Sequence, residues 1–115
     1  NGIQFPCQSL SGNTGTIKNN VTFVTIKPNY DQYMKTFYFP SNPNTGQLLI
    51  VKNISKDTQI QIDGNGHKIY CDTTGGVDTY DYTDYYFRKV WLSYSRCKMF
   101  IFDGSCWQQV CTYDF

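Results

Sequence analysis

The sequence predicts an all-β domain, an antiparallel β-sandwich or jelly-roll-like barrel of seven to nine short strands, and three observations carry that expectation. Apolar residues alternate or run continuously over five to eight positions, with Gly, Pro, Asn and Asp clusters between the runs. Asp103-Gly104 stands between two apolar-rich runs, a strong hairpin signal. No stretch of ten residues carries the 3,4 spacing of an amphipathic helix.

The elements follow in chain order. Val21 to Ile26 is apolar on both faces and stops at Lys27-Pro28-Asn29. Thr36-Phe37-Tyr38-Phe39 is a short aromatic strand ended by Pro40, and 41 to 46 is a polar turn segment with Pro43 and Gly46. Gln47 to Asn53 is the aliphatic run of a buried strand. Gln59-Ile60-Gln61-Ile62 alternates strictly, and Asp63-Gly64-Asn65-Gly66 is expected to fold it back on His67 to Cys71 as a hairpin. Residues 72 to 86 break the pattern and read as a surface loop. Strands resume from Phe87 to Tyr94, turn near Ser95-Arg96, and end in a hairpin at Asp103-Gly104, for which a type I′ turn is expected. Leu49, Val51, Ile60, Ile62, Leu92 and Trp107 are the expected core. No internal repeat is evident.

At 115 residues the chain fits one domain, with eighteen Tyr and Phe and two Trp supplying large units for burial. Ten Lys and Arg against nine Asp and Glu leave a formal charge of +1, so no overall field gathers nucleic acid or an anionic membrane. The longest aliphatic run, Leu48 to Val51, is far shorter than the ~20 residues of a membrane-spanning helix, and membrane insertion is not expected. The chain opens on Asn1 and is read as a piece of a longer polypeptide or a processed product. Five cysteines, Cys7, Cys71, Cys97, Cys106 and Cys111, contain no Cys-x-x-Cys pair; most are expected as small buried side chains, with a bridge among the last three open in an oxidising compartment.

The best functional candidate is Asp78, Tyr80, Asp81, Tyr82, Asp84, Tyr85 and Tyr86. Tyrosine presents broad contact area with few rotatable bonds and a hydroxyl tip, which suits a recognition loop, a sugar face or a neighbouring subunit. The alternative is that the rings pack on their own scaffold. Asp78, Asp81 and Asp84 lack the spacing of a calcium loop, and neither a metal nor any other cofactor is expected. His67, the single histidine, follows a turn and reads as locally hydrogen-bonded rather than catalytic. Trp107 reads as a core anchor. Asn20-Val21-Thr22 and Asn53-Ile54-Ser55 fit the N-glycosylation pattern, which such a composition also produces by chance. No carboxylate pair sits in a setting that separates an acid from a base, so no enzyme is expected.

The series from Leu48 to Asn53 through Ile60, Ile62, Gly64, Gly66 and Ile69, then Val90 and Leu92, and finally Phe102-Asp103-Gly104 with Trp107 and Val110, resembles small C-terminal β-modules of viral and phage fibre, tail and capsid-surface proteins. The resemblance covers about residues 46 to 111. It implies a non-enzymatic virion surface protein, a fibre-type head or capsid decoration, that forms a homo-oligomer, a trimer by preference, or joins other virion proteins and attaches to a host receptor or glycan. The Asp/Tyr segment is an addition to that pattern. The rival readings are a carbohydrate-binding module of a secreted protein and a small secreted hydrolase.

Overall fold

The computed structural model describes residues 2–30, 33–72, 74–80 and 86–110. Among them there is no helix; ten strands form one mixed sheet that curls on itself. They are β1 (Cys7–Gly12), β2 (Phe23–Pro28), β3 (Lys35–Tyr38), β4 (Leu48–Asn53), β5 (Ile60–Asp63), β6 (Lys68–Tyr70), β7 (Gly76–Thr79), β8 (Tyr86–Leu92), β9 (Cys97–Phe102) and β10 (Cys106–Gln109). The order across the sheet is β1-β2-β4-β9-β10-β6-β8-β5-β3, with β7 attached to β8. All-β is thus observed, with ten strands in place of seven to nine.

The arrangement differs from an antiparallel sandwich because the chain coils. β1, β2 and β4 run parallel, and so do β3 and β5. Parallel neighbours need a long crossover, usually a helix. Here the crossover is the opposite wall: the chain leaves β2, forms β3 on the far side, and returns as β4. Phe23 stands beside Ile50, 27 residues on, and Lys35 beside Ile60, 25 residues on. A shorter turn precedes it, since Thr16 bridges Tyr38 in parallel. At the other end β9 and β8 pair antiparallel with β4 and β5, so the stack finishes on reversed strands.

This coiling explains the corrected hairpin. Asn65 (φ 55°) and Gly66 (φ 91°) both take left-handed conformations, and His67 N–H donates to Gly64 O at 3.2 Å, as the Asn-Gly signal implies. Yet β5 and β6 do not pair with each other. Both pair with β8, β5 along Leu92 to Lys89 and β6 along Phe87 and Tyr86, on the edge opposite β7, and Gly64 N–H donates to Arg88 O between them. The turn is a corner that bulges from one edge of β8. A Cβ at Gly64 would collide with the His67 carbonyl, so only glycine fits that corner.

At the closing hairpin Gly104 has φ 104° and Ser105 is not in the left-handed region, while Asp103 N–H donates to Cys106 O at 3.0 Å. Positive φ at the first central residue alone is the type II′ pattern, not the expected I′, because the two-residue loop is Gly104-Ser105 rather than Asp103-Gly104. The loop expected over 72 to 86 contains β7, whose Gly76 lies against the Phe87 ring so closely that no side chain fits there.

Inward positions of both walls form one core. Leu10, Val24, Ile26, Leu49, Val51 and Phe100 face Phe37, Ile60, Ile62, Val90 and Leu92. Trp107 closes the end, with Phe39 and Phe102 rings each 5.2 Å from it. All six expected core residues are at most 1% exposed.

Candidate functional site

The candidate site forms on the outer face where β10, β6 and β8 meet. Parallel pairing sets Cys106 beside Lys68 and Trp107 beside Ile69; antiparallel pairing sets Ile69 beside Phe87 and Tyr70 beside Tyr86. Ile69, Phe87 and Trp107 point into the core, so the alternate residues Lys68, Tyr70, Tyr86 and Arg88 project outward. The β7–β8 hairpin adds Tyr80, whose N–H donates to Tyr86 O at 3.0 Å. A cleft of about 360 Å³ results, lined by Gly66, Lys68, Tyr80, Tyr86, Ser105 and Cys106.

Cations and rings interleave there. Lys68 Nζ lies 5.5 Å from the centre of the Tyr80 ring and 5.4 Å from that of Tyr86, and the Arg88 guanidinium lies 4.0 Å over Tyr80. Tyr70 meets Tyr86 edge-on at 5.4 Å. Among the described residues, the ion pair seen is Lys89 with Asp78 at 3.9 Å; Lys68 and Arg88 have no carboxylate in reach.

Asp103 braces the floor of the cleft. Its Oδ1 accepts from the Ser105 and Cys106 backbone N–H groups at 2.9 and 2.8 Å, and its Oδ2 accepts from Gln108 Nε2 at 2.9 Å and from the Cys106 thiol at 3.2 Å. The Cys106 backbone N–H, then the Gln108 amide and the Ser105 N–H, hold this carboxyl well below the usual range. Burial, with the Asp103 charge behind it, pushes the Cys106 thiol up. The Tyr86 phenol is also raised, chiefly by the Cys106 sulfur beside it. A thiol held protonated is a poor nucleophile, since the thiolate is the reactive form.

Of the expected site residues, Tyr80 and Tyr86 line the cleft. Asp78 does not: it sits in β7 with φ 63° and faces Lys89. Asp81, Tyr82, Asp84 and Tyr85 lie outside the described residues, and with them two of the three carboxylates weighed for calcium. Among the described residues no three His, Cys, Asp or Glu side chains gather as a metal site requires. Lys68 and Arg88 were not anticipated. The signal for them is period two: Lys68 precedes Tyr70 and Arg88 follows Tyr86 by two residues, so each shares a face with a tyrosine.

Other sequence candidates resolve plainly. His67 stacks edge-on to Phe102 at 5.0 Å and its Nε2 is 3.1 Å from Ser41 O, a local role. Asn53 is fully buried, with Nδ2 donating to Thr58 O and Leu92 O, so the folded domain offers no glycan acceptor there; Asn20 is exposed. Cys7, Cys71, Cys97 and Cys106 are free thiols, and Cys111 lies outside the described residues. Cys71 and Cys106 are buried as expected, whereas Cys7 is exposed.

No family model, curated protein or solved structure matches the chain.

A second outer surface stands out on the wall β1-β2-β4-β9. Register aligns Cys7, Phe23, Ile50 and Met99 in one outward row, and Val110 N–H donates to Met99 O at 2.9 Å to extend it. Beside it lie Leu48 and Ile101. With strands about 4.8 Å apart, five aligned positions span about 19 Å of apolar surface.

Proposed function

We propose that the domain is a non-enzymatic assembly and attachment module of the kind that forms fibre heads or decorations at a virion surface. The observation that carries the assembly half is the outward apolar row Cys7, Phe23, Ile50, Met99 and Val110. Outward positions of a coil ordinarily carry polar groups. Met99, Ile101 and Val110 remain 39%, 39% and 50% exposed, and contiguous apolar surface of this kind marks an interface. The occupant is a second copy of this chain: a row of five uncharged side chains with no charge to select a different partner can meet its own copy about a symmetry axis, and a cyclic trimer or dimer covers it. The resemblance of residues 46 to 111 to fibre-type modules supports the virion location and the symmetric state.

The attachment half is supported by the tyrosine cleft, which borders the apolar row: Cys106 of the cleft and Val110 of the row project from the same outer side of the last strand. The same cleft favours the second reading, a carbohydrate-binding module of a secreted protein, in which the apolar row docks on the remainder of that protein. Sedimentation velocity at tens of micromolar tests the first reading. Wild type should sediment as an oligomer, and Ile50→Asp with Met99→Asp should give a monomer of unchanged circular dichroism. A monomeric wild type at that concentration would overturn it.

A further inference from the structure

We propose that the cleft between Tyr80, Tyr86 and Lys68 binds an acidic sugar, a pyranose bearing a carboxylate, so that attachment is to an acidic glycan. This inference rests on the attachment half of the reading above and names its ligand. Three features of the site select that chemistry. The first is the pair of phenols, brought to one cleft by the β7–β8 hairpin, which together supply ring edges and hydroxyls to a pyranose. The second is the cationic pair: Lys68 Nζ lies 5.4 and 5.5 Å from the two ring centres and the Arg88 guanidinium 4.0 Å from one of them. Held on the rings and without a carboxylate partner among the described residues, Lys68 lines the cleft and is placed to take an anion at the edge of a bound ring, and Arg88, stacked on Tyr80, adds a second positive charge beside it. The third is size: about 360 Å³ has room for one or two sugar rings.

Aromatic rings beside Lys and Arg also suit single-stranded nucleic acid. Charge decides against it. Asp103 stays ionised under its three N–H donors and adjoins Ser105 and Cys106 in the cleft lining, so a phosphate chain running across the site would meet a fixed negative charge. The chain as a whole carries only +1. A single carboxylate pointing at Lys68 and Arg88, away from Asp103, meets no such cost. The Ser105 hydroxyl, already donating to Asp103 Oδ1 at 3.2 Å, keeps lone pairs to accept from a sugar hydroxyl.

Titration calorimetry or chemical-shift mapping tests this with three probes: a disaccharide ending in a hexuronic acid, its neutral hexose counterpart, and a single-stranded oligothymidine. The uronic disaccharide should bind at least tenfold more tightly than the neutral one, with the preference lost at high salt. Lys68→Gln with Arg88→Gln should abolish the preference, and Tyr80→Ser should weaken both sugars. The first pair changes exposed side chains, and unchanged thermal melting confirms the fold. Equal binding of both sugars, a preference that survives the double substitution, tighter binding of oligothymidine, or no binding of any probe overturns the acidic-sugar site. Self-association in sedimentation is read separately, so failure here leaves the assembly reading standing.

Discussion

The two walls of the coil are alike inside and differ outside by one apolar row. Inward, each wall presents aliphatic and phenyl groups that vanish into one core. Outward, the β3-β5-β8 wall carries Thr36, Gln61, Asp63 and Lys89, with Gln61 Nε2 donating to Thr36 Oγ1 at 2.8 Å across the strands. Trp91 beside Gln61 and Tyr38 beside Asp63, both half-buried, are exceptions on that wall. The β1-β2-β4-β9 wall carries Cys7, Phe23, Ile50 and Met99 in one outward row and Ser9, Thr25, Lys52 and Cys97 in the next. Folding asks the same of both walls, so the apolar row is the outward feature that folding alone does not call for, and the proposed assembly would cover it.

The largest effect should come from the shared interior. Phe37→Ala on one wall and Phe100→Ala on the other each remove a fully buried ring, and each should cost about 3–5 kcal/mol in urea unfolding. The two values should agree within about 1 kcal/mol. A much smaller loss at Phe37 would show that the polar-faced wall is not part of the same cooperative core, and the likeness of the two interiors would fail.

Next comes the corner that ties the walls together. Asn53 ends β4 on one wall, yet its amide donates to Leu92 O on the other, at 3.2 Å, and to Thr58 O at 2.8 Å. Its Oδ1 accepts from the Ser55 N–H and hydroxyl. Asn53→Ala strands these buried partners and should cost about 2–3 kcal/mol. A Ser55→Ala change, which leaves the bond from Asn53 to Leu92 in place, should cost less. Equal losses would mean that the cross-wall bond carries no special weight.

Much of this was legible in the sequence and some was not, for physical reasons. Strict alternation at Ile60 and Ile62 and the aliphatic run at Leu49 and Val51 fixed strand and face, because the demand for an apolar inward group is local. The coil was hidden. Val24 pairs with Val51, but Ile26 pairs with the buried Asn53, so stacked positions share burial and not identity, and no repeat shows. β1 escaped notice because it sits at the sheet's edge with a single inward apolar residue, Leu10, and β7 because Val77 is its only aliphatic side chain. In the cleft the tyrosines announced themselves by type. Lys68 and Arg88 come to one surface only because β6 pairs with β8 and β10, long-range pairings that a local turn signal cannot report.

A smaller effect depends on pH and touches the closed end of the coil. Burial, offset in part by Lys98 and reinforced by Asp72, pushes the Cys71 thiol up to about 12. An unfolded thiol titrates near 8.5. Because the folded value is the higher one, the stability contributed by the neutral thiol is fully present below about pH 8.5 and is lost as pH rises from there toward 12. Urea unfolding at pH 7, 9 and 10 should therefore show a falling stability whose slope is shallower in Cys71→Ala. Identical slopes would remove the thiol from this account.

The smallest expected effect probes the polar wall directly. Thr36→Val keeps the β-branched shape that suits a strand and removes only the hydroxyl that accepts from Gln61, at a half-buried site. The loss should be about 0.5–1 kcal/mol, the net worth of one ordinary hydrogen bond, and β3 should stay in register because its inward residues Lys35 and Phe37 are untouched. Its value lies in what it should leave alone. The substitution adds an apolar group to the outer surface of the polar wall, flanked there by Gln61 and Trp91, yet one such group among polar neighbours should not alter the sedimentation of either wild type or the Ile50→Asp, Met99→Asp pair. Higher-order association of Thr36→Val would mean that any added apolar surface drives self-association, and the contrast between the walls would no longer identify the β1-β2-β4-β9 row as the place where copies meet.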